Sequence, residues 1–592
     1  MNTEAWIVVG VVGGALLLFA SERVRPEGVG LLALLTLAFS GIITPAEAFA
    51  GFSNPAVITV AAMFILSEGT VQAGLPGAIA GLLTRFGGGR LRLVVIMLIL
   101  VVGGMSAFIN NVAATVILIP AAVSLARGMQ AAPSKLLMHL SFGSLMGGLV
   151  TLIGTPPNLL ASEALAAAGY ERFQMFDFVP TGAAVFGVGL LYMATVGARL
   201  LPERAGPDVG REVEQVRQFM GELVVPAESP VVGKTLLELR WQPRFRVTVT
   251  EIVRSGRRNR FPSAADVVYI SDSLLVEGER DDVMRLAQAE RLEFAVEARS
   301  ADSLVSDDQA SIVELVAGPS FAYAGQTVVQ MNFRVRFGGL VLGIWRQGQP
   351  VRRALRGVAI QPGDVLLVRL PASRVPELAD SQEFILLGQR PRRVRARPKM
   401  FLALGILAMV VALSATGVAH ISVSASLGVG LMLVARVIPY ERLYVAIEWR
   451  ILVLIATLIP LGTAMETSGL ASFAAGNVVE VLGPAGPIFM LAGVFVLTAL
   501  LTQIMSNAAA VVLVAPIALG IASGMGIAPY PLLMMVAIAG STAFLTPIGH
   551  QANVLVYNAA GYRFFDFVRV GGPLTLIILA VSLAVVPIVW PL

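Results

Sequence analysis

The 592-residue sequence has no cysteine and only three histidines, His139, His420 and His550. Without cysteine, disulfide bridges, iron–sulfur clusters and thiol nucleophiles are excluded, and three scattered histidines leave little for zinc or haem. Charged residues are also scarce, at 14% against roughly 25% in soluble proteins, whereas hydrophobic residues make up 56%. The apolar runs are about 20 residues long, which is typical of membrane helices and not of membrane β-barrels. The sequence therefore predicts a helical integral membrane protein.

The few charges are segregated along the chain. Residues 1–200 contain nine Lys and Arg residues and residues 400–592 contain five, so most remaining charges lie between. That middle stretch alternates β-rich runs with turn signals such as Gln361-Pro-Gly-Asp364, which predicts a soluble α+β insert. The predicted domains are membrane half 1 at 1–202, soluble repeats at 203–298 and 299–398, and membrane half 2 at 399–592. Met1-Asn-Thr-Glu4 lacks a positive n-region, so we expect a first membrane helix there instead of a signal peptide.

The two membrane halves are copies of one another at a distance of about 395 residues. Each half has a pair of apolar segments, followed by a span that Gly and Pro residues interrupt. The spacing from Asn111 to Pro120 equals that from Asn507 to Pro516, and Gly154-Thr-Pro-Pro-Asn158 aligns with Gly549-His-Gln-Ala-Asn553. The duplication predicts two equivalent structural units.

Polar residues in the middle of each apolar pair predict re-entrant hairpins. Asn110-Asn111 and Ser506-Asn507 would be buried in lipid if the segments were full spans. With hairpins, each half crosses the membrane five times, and an odd number inverts the second copy relative to the first. A cytoplasmic insert, with both termini extracytoplasmic, places every Lys and Arg of the two halves inside except Arg172.

The hairpin tips and interrupted spans are candidate binding elements. A helix broken at membrane depth exposes carbonyl groups at one end and N–H groups at the other, which suit a cation and an anion respectively. A single Asn in a membrane helix usually forms a hydrogen bond to a neighbouring helix, but two matched copies favour a binding role. No carboxylate lies in a tip or a break, which favours Na+ coupling over proton coupling and an anionic substrate. We expect His550 to be a polar residue near the substrate path, without a proton-relay role.

At these motifs the sequence resembles the divalent anion/sodium symporter family. Ile109-Asn-Asn-Val-Ala-Ala-Thr115 and Met505-Ser-Asn-Ala508 look like that family's two Ser-Asn-Thr signatures. Gly154-Thr-Pro-Pro-Asn158 and Thr546-Pro-Ile-Gly549 look like its paired unwound loops, and Gly51-Phe-Ser-Asn-Pro55 looks like a motif near its early helices. The resemblance covers both halves. It implies an elevator-type homodimer, in which a transport domain moves against a scaffold domain.

The resemblance also implies one Na+ site in each hairpin, with the substrate between them. The first Na+ site would use Ser106, Asn110, Asn111 and Gly154, and the second Thr502, Ser506, Asn507 and Gly549. The substrate would contact Asn111, Thr155, Pro156, Asn158, Asn507, Thr546, Pro547 and Asn553. No organic cofactor, catalytic residue or nucleic-acid partner is implied.

The signatures depart from the family pattern. Asn110 stands where the family has Ser, and Val112 and Ala508 stand where it has Thr. In that family these hydroxyls help to hold substrate carboxylates. Their replacement favours a compact tetrahedral anion such as sulfate over a di- or tricarboxylate.

The insert is itself duplicated at an offset of 92 residues. Val232-Gly-Lys-Thr235 matches Ala324-Gly-Gln-Thr327, and Asp272 matches Asp364. Further matches are Arg244-Phe245 with Arg336-Phe337 and Arg254-Ser-Gly256 with Arg346-Gln-Gly348. Each copy is similar to the C-terminal ligand-binding (TrkA-C) subdomain of potassium-channel (RCK) regulators. The repeats would either hold a dimer together or sense an unknown small ligand. The basic run Arg390, Arg392, Arg393, Arg395 and Arg397 is expected to meet anionic membrane lipid.

The sequence thus predicts a sodium-coupled symporter of the plasma (inner) membrane that imports a small divalent anion, sulfate first, by an elevator mechanism. A C4-dicarboxylate or citrate carrier is the alternative. An ion channel regulated by the soluble domains would need a selectivity filter such as Thr-Val-Gly-Tyr-Gly, which the sequence lacks. A cation or metalloid antiporter would need an intramembrane acid or thiol, and no nucleophile–base pattern indicates an enzyme.

Overall fold

The computed structural model describes residues 3–21, 24–75, 78–79, 91–204, 219–254, 257–259, 262–278, 280–294, 310–318, 321–346, 349–351, 357–379, 381, 383–387 and 398–592. Predictions at Arg23, Arg85, Arg90, Gly256 and Gly348, at the domain junction between 298 and 299, and in the basic run at 390–397 fall outside these residues. The chain forms two compact units. The first contains Met1–Glu203, Arg390–Val556 and Arg563–Leu592, and the second contains Arg204–Gln389 and Tyr557–Tyr562.

Every regular element of the first half is a helix among its described residues. Its helices are α1 Thr3–Ser21, α2 Pro26–Phe39, α3 Pro45–Ala50, α4 Pro55–Gln72, α5 Leu91–Ser106, α6 Asn111–Gly128, α7 Ser134–Gly148, α8 Pro156–Ala167, α9 Val179–Tyr192 and α10 Ala198–Leu200. A 3₁₀ turn at Gly51–Ser53 precedes α4, and a π-helical turn at Met193–Gly197 joins α9 to α10. Helices α5 and α6 form the first hairpin, and α7 and α8 form the first broken helix.

The second membrane half repeats this order. Its helices are α16 Pro398–Ala415, α17 Ile421–Val434, α18 Tyr440–Ala446, α19 Trp449–Thr467, α20 Leu470–Leu482, α21 Pro487–Leu501, α22 Asn507–Met525, α23 Pro529–Gly540, α24 Gln551–Ala559 and α25 Phe564–Val589. A 3₁₀ turn lies at Gly483–Ala485. Helices α21 and α22 form the second hairpin, and α23 and α24 form the second broken helix.

Local sequence explains where many of these helices begin. Proline occupies the first turn of α2, α3, α4, α8, α21 and α23, where its missing N–H group costs no helical hydrogen bond. Thr44 and Glu47 form a capping box at α3, and the Asn54 side chain accepts a hydrogen bond from the Ala56 N–H at the start of α4. These caps satisfy N–H groups that no preceding turn can reach.

The core of the helical unit lies at α7 and α23, whose residues are almost all buried. The first hairpin packs against α7 in the same way as the second hairpin packs against α23, while α8 packs against α22 and α23. Close packing of α5 on α7 depends on glycine, because a methyl group on Gly147 would clash with the Gly103 backbone. The two halves therefore share one interior.

Five helical stretches of the described residues are long and apolar enough to cross a membrane: Pro45–Gln72, Val179–Leu200, Trp449–Thr467, Asn507–Met525 and Phe564–Val589. Shorter apolar helices of 10–17 residues include α2, α5, α17 and α21. The structure is thus mostly helical, with several helices suited to a lipid environment.

The second unit contains two five-stranded antiparallel sheets. The first orders its strands β3-β2-β4-β1-β5, and the second orders them β8-β7-β9-β6-β10. The strands are β1 Phe219–Val224, β2 Thr248–Arg254, β3 Arg257–Asn259, β4 Ser273–Gly278, β5 Glu293–Phe294, β6 Ala310–Ala317, β7 Leu340–Arg346, β8 Gln349–Pro350, β9 Val365–Pro371 and β10 Phe384–Leu387. The helices are α11 Leu236–Leu239, α12 Trp241–Phe245, α13 Arg280–Ala289, α14 Phe333–Phe337 and α15 Val375–Ala379, with a 3₁₀ turn at Ala372–Arg374.

The two sheets are equivalent at the offset of 92 residues seen in the sequence. An isolated bridge joins Thr235 to Val267 in one repeat and Thr327 to Ala359 in the other. Each sheet also has an irregularity at matching points, between Val249 and Glu251 and between Val341 and Gly343. Each repeat has its own cluster of buried apolar side chains.

Candidate substrate and cation site

The tip of each hairpin begins a helix with a side-chain cap. Asn110 Oδ1 accepts a hydrogen bond of 2.8 Å from the Val112 N–H in the first tip. In the second tip, Ser506 Oγ accepts one of 3.3 Å from the Ala509 N–H. Asn and Ser are favoured at this position because their short side chains reach the N–H groups of the first turn. The caps place Asn111 and Asn507 at the first position of α6 and α22.

Asn111 and Asn507 make the same contact in the two halves. Ser106 Oγ donates a hydrogen bond of 2.5 Å to Asn111 Oδ1, and Thr502 Oγ1 donates one of 2.8 Å to Asn507 Oδ1. These contacts fix each amide with its oxygen toward the hydroxyl group. Among the described residues, neither Asn Nδ2 has a hydrogen-bond acceptor, so both NH₂ groups remain able to donate.

The broken helices hold these hydroxyl groups. Ser144 Oγ lies 3.1 Å from Ser106 Oγ and donates a hydrogen bond of 2.8 Å to the Asn111 carbonyl oxygen. In the second half, Thr502 Oγ1 lies 2.9 Å from the carbonyl oxygen of Gly540, which is the position equivalent to Ser144. Ser144 could not be predicted from the sequence, because a Ser inside a helix usually bonds only to its own helix.

Asn158 and Asn553 hold the loops of the broken helices. Asn158 Nδ2 donates to the carbonyl oxygens of Gly148 and Thr151, at 3.3 and 2.8 Å. Asn553 Nδ2 makes the equivalent bonds to Ala543 and Thr546, at 2.6 and 3.1 Å. Both side chains are fully buried. Their contacts make them positioning residues for the loops, and the same pattern pairs Thr546 with Thr151.

The two tips and the two loops line one cavity of about 480 Å³. Of the predicted site residues, Asn110, Asn111, Gly154, Thr155, Pro156, Ser506, Asn507 and Gly549 line it. Ser106 and Thr502 are fully buried against the Asn residues, and Thr546, Pro547, Asn158 and Asn553 are not part of the lining. In the second half, Gln503, His550 and Gln551 also line the cavity. Among the described residues of the first half, the tip and loop contribute no further side chain that can form a hydrogen bond.

Arg25 is the one formally charged residue that lines this cavity in the described part of the chain. It directly precedes α2 and is exposed. No group of three or more His, Asp or Glu side chains that could hold a metal ion is found among the described residues. The cavity therefore combines neutral oxygens, amide donors and a single positive charge.

A sequence profile of the citrate transporter family matches residues 16–539, from the first membrane helix to α23. The chain belongs to this family. A member of the citrate transporter family is a carrier of small molecules and not an enzyme. The apolar helices of this chain are those of an integral membrane protein. The match includes both hairpins and the first broken helix.

Full-length relatives are also transporters. An uncharacterized transporter of Synechocystis sp. is 34% identical over 97% of this chain and 95% of its own length. An uncharacterized transporter of Escherichia coli is 32% identical over the whole of both chains. Sodium/sulfate cotransporter 2 of Chlamydomonas reinhardtii is 23% identical over 96% of this chain and 88% of its own length.

Proposed function

We propose that the protein is a sodium-coupled symporter that imports a small divalent anion, with sulfate as the first candidate. One observation carries this proposal. Asn111 and Asn507, from opposite halves, line one cavity, and each has its oxygen bound to a hydroxyl group and its NH₂ group free to donate. A site of this kind offers oxygens to a cation and N–H donors to an anion from the same two residues.

The first half has space for a cation between oxygens. A methyl group on Gly148 would lie 2.7 Å from Asn111 Oδ1, 3.0 Å from Asn111 Nδ2 and 3.2 Å from the Gly154 carbonyl oxygen, so a cation there would require the amide to turn its NH₂ group away. Oxygens of this type suit a hard cation, and the absence of a Cβ at Gly148 leaves the place between them open. Asn111, Gly154 and Ser106 would hold Na+ there. The ion would supply positive charge beside the substrate.

The second half has a different set of neighbours at the equivalent place. Ala543 replaces Gly148, and a methyl group on Gly549 would lie 3.0 Å from Thr546 Oγ1 and 3.3 Å from Gln503 Oε1. Gln503 Nε2 is held by the carbonyl oxygens of Ala499 and Thr542, at 3.0 and 3.1 Å. A second Na+ would therefore draw on Gln503 and Thr546 in addition to Thr502, Ser506, Asn507 and Gly549.

The anion would bind between the two tips. The amide groups of Asn111 and Asn507 can donate to its oxygens, and the positive N-terminal ends of α6 and α22 favour negative charge. No carboxylate lines the cavity among the described residues, so nothing there repels an anion. Two Na+ ions would lower the electrostatic cost of moving a divalent anion through the membrane.

Two considerations separate sulfate from a carboxylate. Val112 and Ala508 line the cavity without hydroxyl groups, and a full-length relative bears the name of a sodium/sulfate cotransporter. The family is described by citrate transport, which supports a citrate or C4-dicarboxylate carrier as the alternative. Substrate competition distinguishes the two.

For the whole molecule we propose an elevator-type homodimer with inverted halves, re-entrant hairpins, a cytoplasmic soluble insert and extracytoplasmic termini. The equivalent contacts that the hairpins and broken helices make in the two halves support the duplication, and the inversion follows from the odd number of crossings predicted for each half. The two matched sheets would hold the dimer together or bind a small regulatory ligand, as expected for TrkA-C subdomains.

The test is uptake of labelled sulfate into proteoliposomes, with and without an inward Na+ gradient, and with unlabelled succinate or citrate as competitor. We expect Na+-dependent sulfate uptake that neither carboxylate inhibits. Asn111→Ala and Asn507→Ala should each abolish uptake, because each removes one oxygen ligand and one donor. Asn477→Ala is the matched control, since Asn477 is exposed and donates only to the Phe473 carbonyl oxygen of its own helix.

Several outcomes would contradict the proposal. Wild-type uptake by either site variant would remove Asn111 and Asn507 from the site. Uptake that does not depend on the Na+ gradient would exclude sodium coupling. Inhibition by succinate or citrate would indicate a carboxylate substrate in place of sulfate.

A further inference from the structure

A second cavity lies away from the hairpin tips, at the opposite ends of the first-half helices. It has a volume of about 290 Å³, and three of its eight lining residues are basic: Arg92, Lys135 and Arg199. Arg92 lies in the first turn of α5, Lys135 in the first turn of α7, and Arg199 in α10. Three helices thus bring three positive charges to one place.

Neighbouring groups neutralise these charges only in part. Lys135 Nζ lies 3.8 Å from Glu203 Oε1, but the Glu203 side chain is 81% exposed, and such pairs contribute little. Arg92 and Arg199 have no ion-pair partner among the described residues. Like charges that converge in this way raise the local potential and favour the binding of an anion.

The π-helical turn at Met193–Gly197 shapes the cavity. A π-turn leaves carbonyl groups outside the regular helical hydrogen bonds, and such turns occur often at functional sites. The Ala194 carbonyl oxygen accepts a hydrogen bond of 3.2 Å from Arg92 Nε. The Leu201 carbonyl oxygen accepts one of 2.7 Å from Lys135 Nζ. The bond at Nε fixes the Arg92 side chain and leaves its two terminal NH₂ groups able to donate. The Lys135 ammonium also lies 3.5 Å from the Ala198 carbonyl oxygen, so one of its three N–H groups is left for a further acceptor.

The rest of the lining is apolar apart from Thr195 and consists of Leu91, Val95, Ala194 and Ala198. Leu93 of α5, Leu191 of α9 and Val196 of the π-helical turn are exposed on the same segments of the chain. Basic side chains at the end of apolar helices are placed to meet lipid head groups, whereas exposed Leu and Val side chains suit acyl chains. A free inorganic anion would use only the basic part of this surface.

We propose that Arg92, Lys135 and Arg199 bind the phosphate group of an anionic phospholipid, whose acyl chains lie along α5 and α9. This site is separate from the proposed transport site, and neither depends on the other. The lipid phosphate would neutralise the charge cluster and brace the first turns of α5 and α7, which lead to the hairpin and the broken helix. The same chemistry could bind free phosphate, so the experiment has to separate the two sources.

The test is native mass spectrometry of the full-length protein with added phosphatidylglycerol, phosphatidylcholine or inorganic phosphate. We expect selective retention of phosphatidylglycerol. Arg92→Gln and Arg199→Gln should each lower that retention roughly fivefold, the effect of removing one basic residue at a lipid surface. Arg199→Lys should retain the lipid, and Arg569→Gln, at another exposed arginine, should behave as wild type.

Each other outcome would overturn the proposal. Equal retention of phosphatidylcholine would show that the charges do not select the lipid. Retention that inorganic phosphate abolishes would assign the site to a soluble anion. Equal losses of bound phosphatidylglycerol in Arg569→Gln and Arg92→Gln would show that lipid binding depends only on the net charge of the protein. Size-exclusion profiles identify any variant that misfolds. If a Gln variant misfolds, Arg199→Lys tests the proposal, because loss of phosphatidylglycerol from this folded variant would contradict it.

Discussion

At the scale of single residues, two amides carry the candidate site and a few hydroxyl groups orient them. Ser106 and Thr502 each donate to the oxygen of the Asn five residues further along the chain. The hydroxyl oxygen itself can also serve as a ligand for a cation. Loss of the hydroxyl group should therefore affect the cation more than the anion, which meets the amide NH₂ groups.

We expect Ser106→Ala to raise the Na+ concentration for half-maximal uptake roughly fivefold, as expected for one lost hydrogen bond. The KM for the anion at saturating Na+ should change less. Ser106→Thr keeps the hydroxyl group and should retain most Na+ affinity. Ser426→Ala is the control, because Ser426 is exposed and its hydroxyl group bonds to the Ser422 carbonyl oxygen of its own helix. An unchanged Na+ dependence in Ser106→Ala would exclude this hydroxyl group from the cation site.

A second prediction at this scale concerns Arg25, which is the one formally charged residue in the described lining of the transport cavity. A positive charge at a cavity raises the local concentration of an anionic substrate. We expect Arg25→Gln to raise the KM for the divalent anion roughly tenfold, to leave the maximal rate nearly unchanged and to weaken the dependence of KM on ionic strength. Arg25→Lys should preserve the wild-type KM. A lower maximal rate with an unchanged KM would assign Arg25 to another step.

At the scale of helices and loops, the two halves share a plan but differ in detail. Asn158 and Asn553 bind the loops with the same pair of carbonyl positions. Asn553 Oδ1 also accepts a hydrogen bond of 2.6 Å from Ser141 Oγ, whereas Asn158 Oδ1 has no partner among the described residues. A side chain of the first half thus fixes the loop of the second, so the two sites need not have equal affinity.

The sequence predicted the hairpins and the breaks because polar or helix-breaking residues interrupt long apolar runs at matched positions. It did not predict Ser144, Ser141 or Gln503, which lie within helices or next to a tip. Their partners are distant in the sequence, as with Ser141 and Asn553, and only helix packing brings them together. The position of Arg25 could not be predicted for the same reason. Local patterns therefore predicted the hairpins and the helix breaks, whereas the positions of the side chains that support them depend on tertiary structure.

Glycine at the first loop allows a prediction at this scale. A methyl group on Gly154 would clash with the Gly148 backbone, whereas one on Gly549 would lie 3.0–3.3 Å from the side chains of Thr546, Ala543 and Gln503 and would touch no backbone atom that closely. We expect Gly154→Ala to abolish uptake and Gly549→Ala to reduce it only partly. Gly104→Ala is the control, because a methyl group there has no neighbour within 4 Å. Equal uptake in Gly154→Ala and Gly104→Ala would show that the first loop tolerates displacement.

At the scale of the whole molecule, the chain combines a duplicated helical unit with a duplicated β-rich unit. Each β repeat contains the same ion pair. Arg254 donates to Asp272 at 2.8 and 2.7 Å, and Arg346 donates to Asp364 at 2.8 and 2.6 Å. Each arginine also bonds to a carbonyl oxygen of its own repeat, at Val267 or Ala359. The pair therefore joins the end of one strand, β2 or β7, to the loop that leads into β4 or β9.

Both aspartates are almost completely buried, but the Arg254 side chain is 47% exposed and that of Arg346 only 30%. Hydrogen bonds to Asp364 raise the pKa of the Arg346 guanidinium above its ordinary value. A raised pKa of a base stabilises the fold below the unfolded pKa, which for arginine lies far above neutral pH. The arginine contribution should therefore not change between neutral and moderately alkaline pH, and over this range the pair would be a constant structural clamp.

Replacement of the buried aspartate should loosen one repeat at a time. We expect Asp364→Asn to cost about 1.5–3 kcal/mol of local stability, the value of hydrogen bonds to charged groups, because it removes the charge that both Arg346 nitrogens contact. Amide hydrogen exchange in the full-length protein should accelerate in Val365–Pro371 and leave Ser273–Gly278 unchanged, with the reverse for Asp272→Asn. The Asp272→Asn effect should be smaller, since Arg254 is more exposed. Glu377→Gln, in an exposed pair with Arg374, should change neither strand. Faster exchange in both sheets from either single variant would mean that the repeats unfold as one cooperative body, and the insert would then be better suited to a rigid dimer contact than to independent ligand sensing.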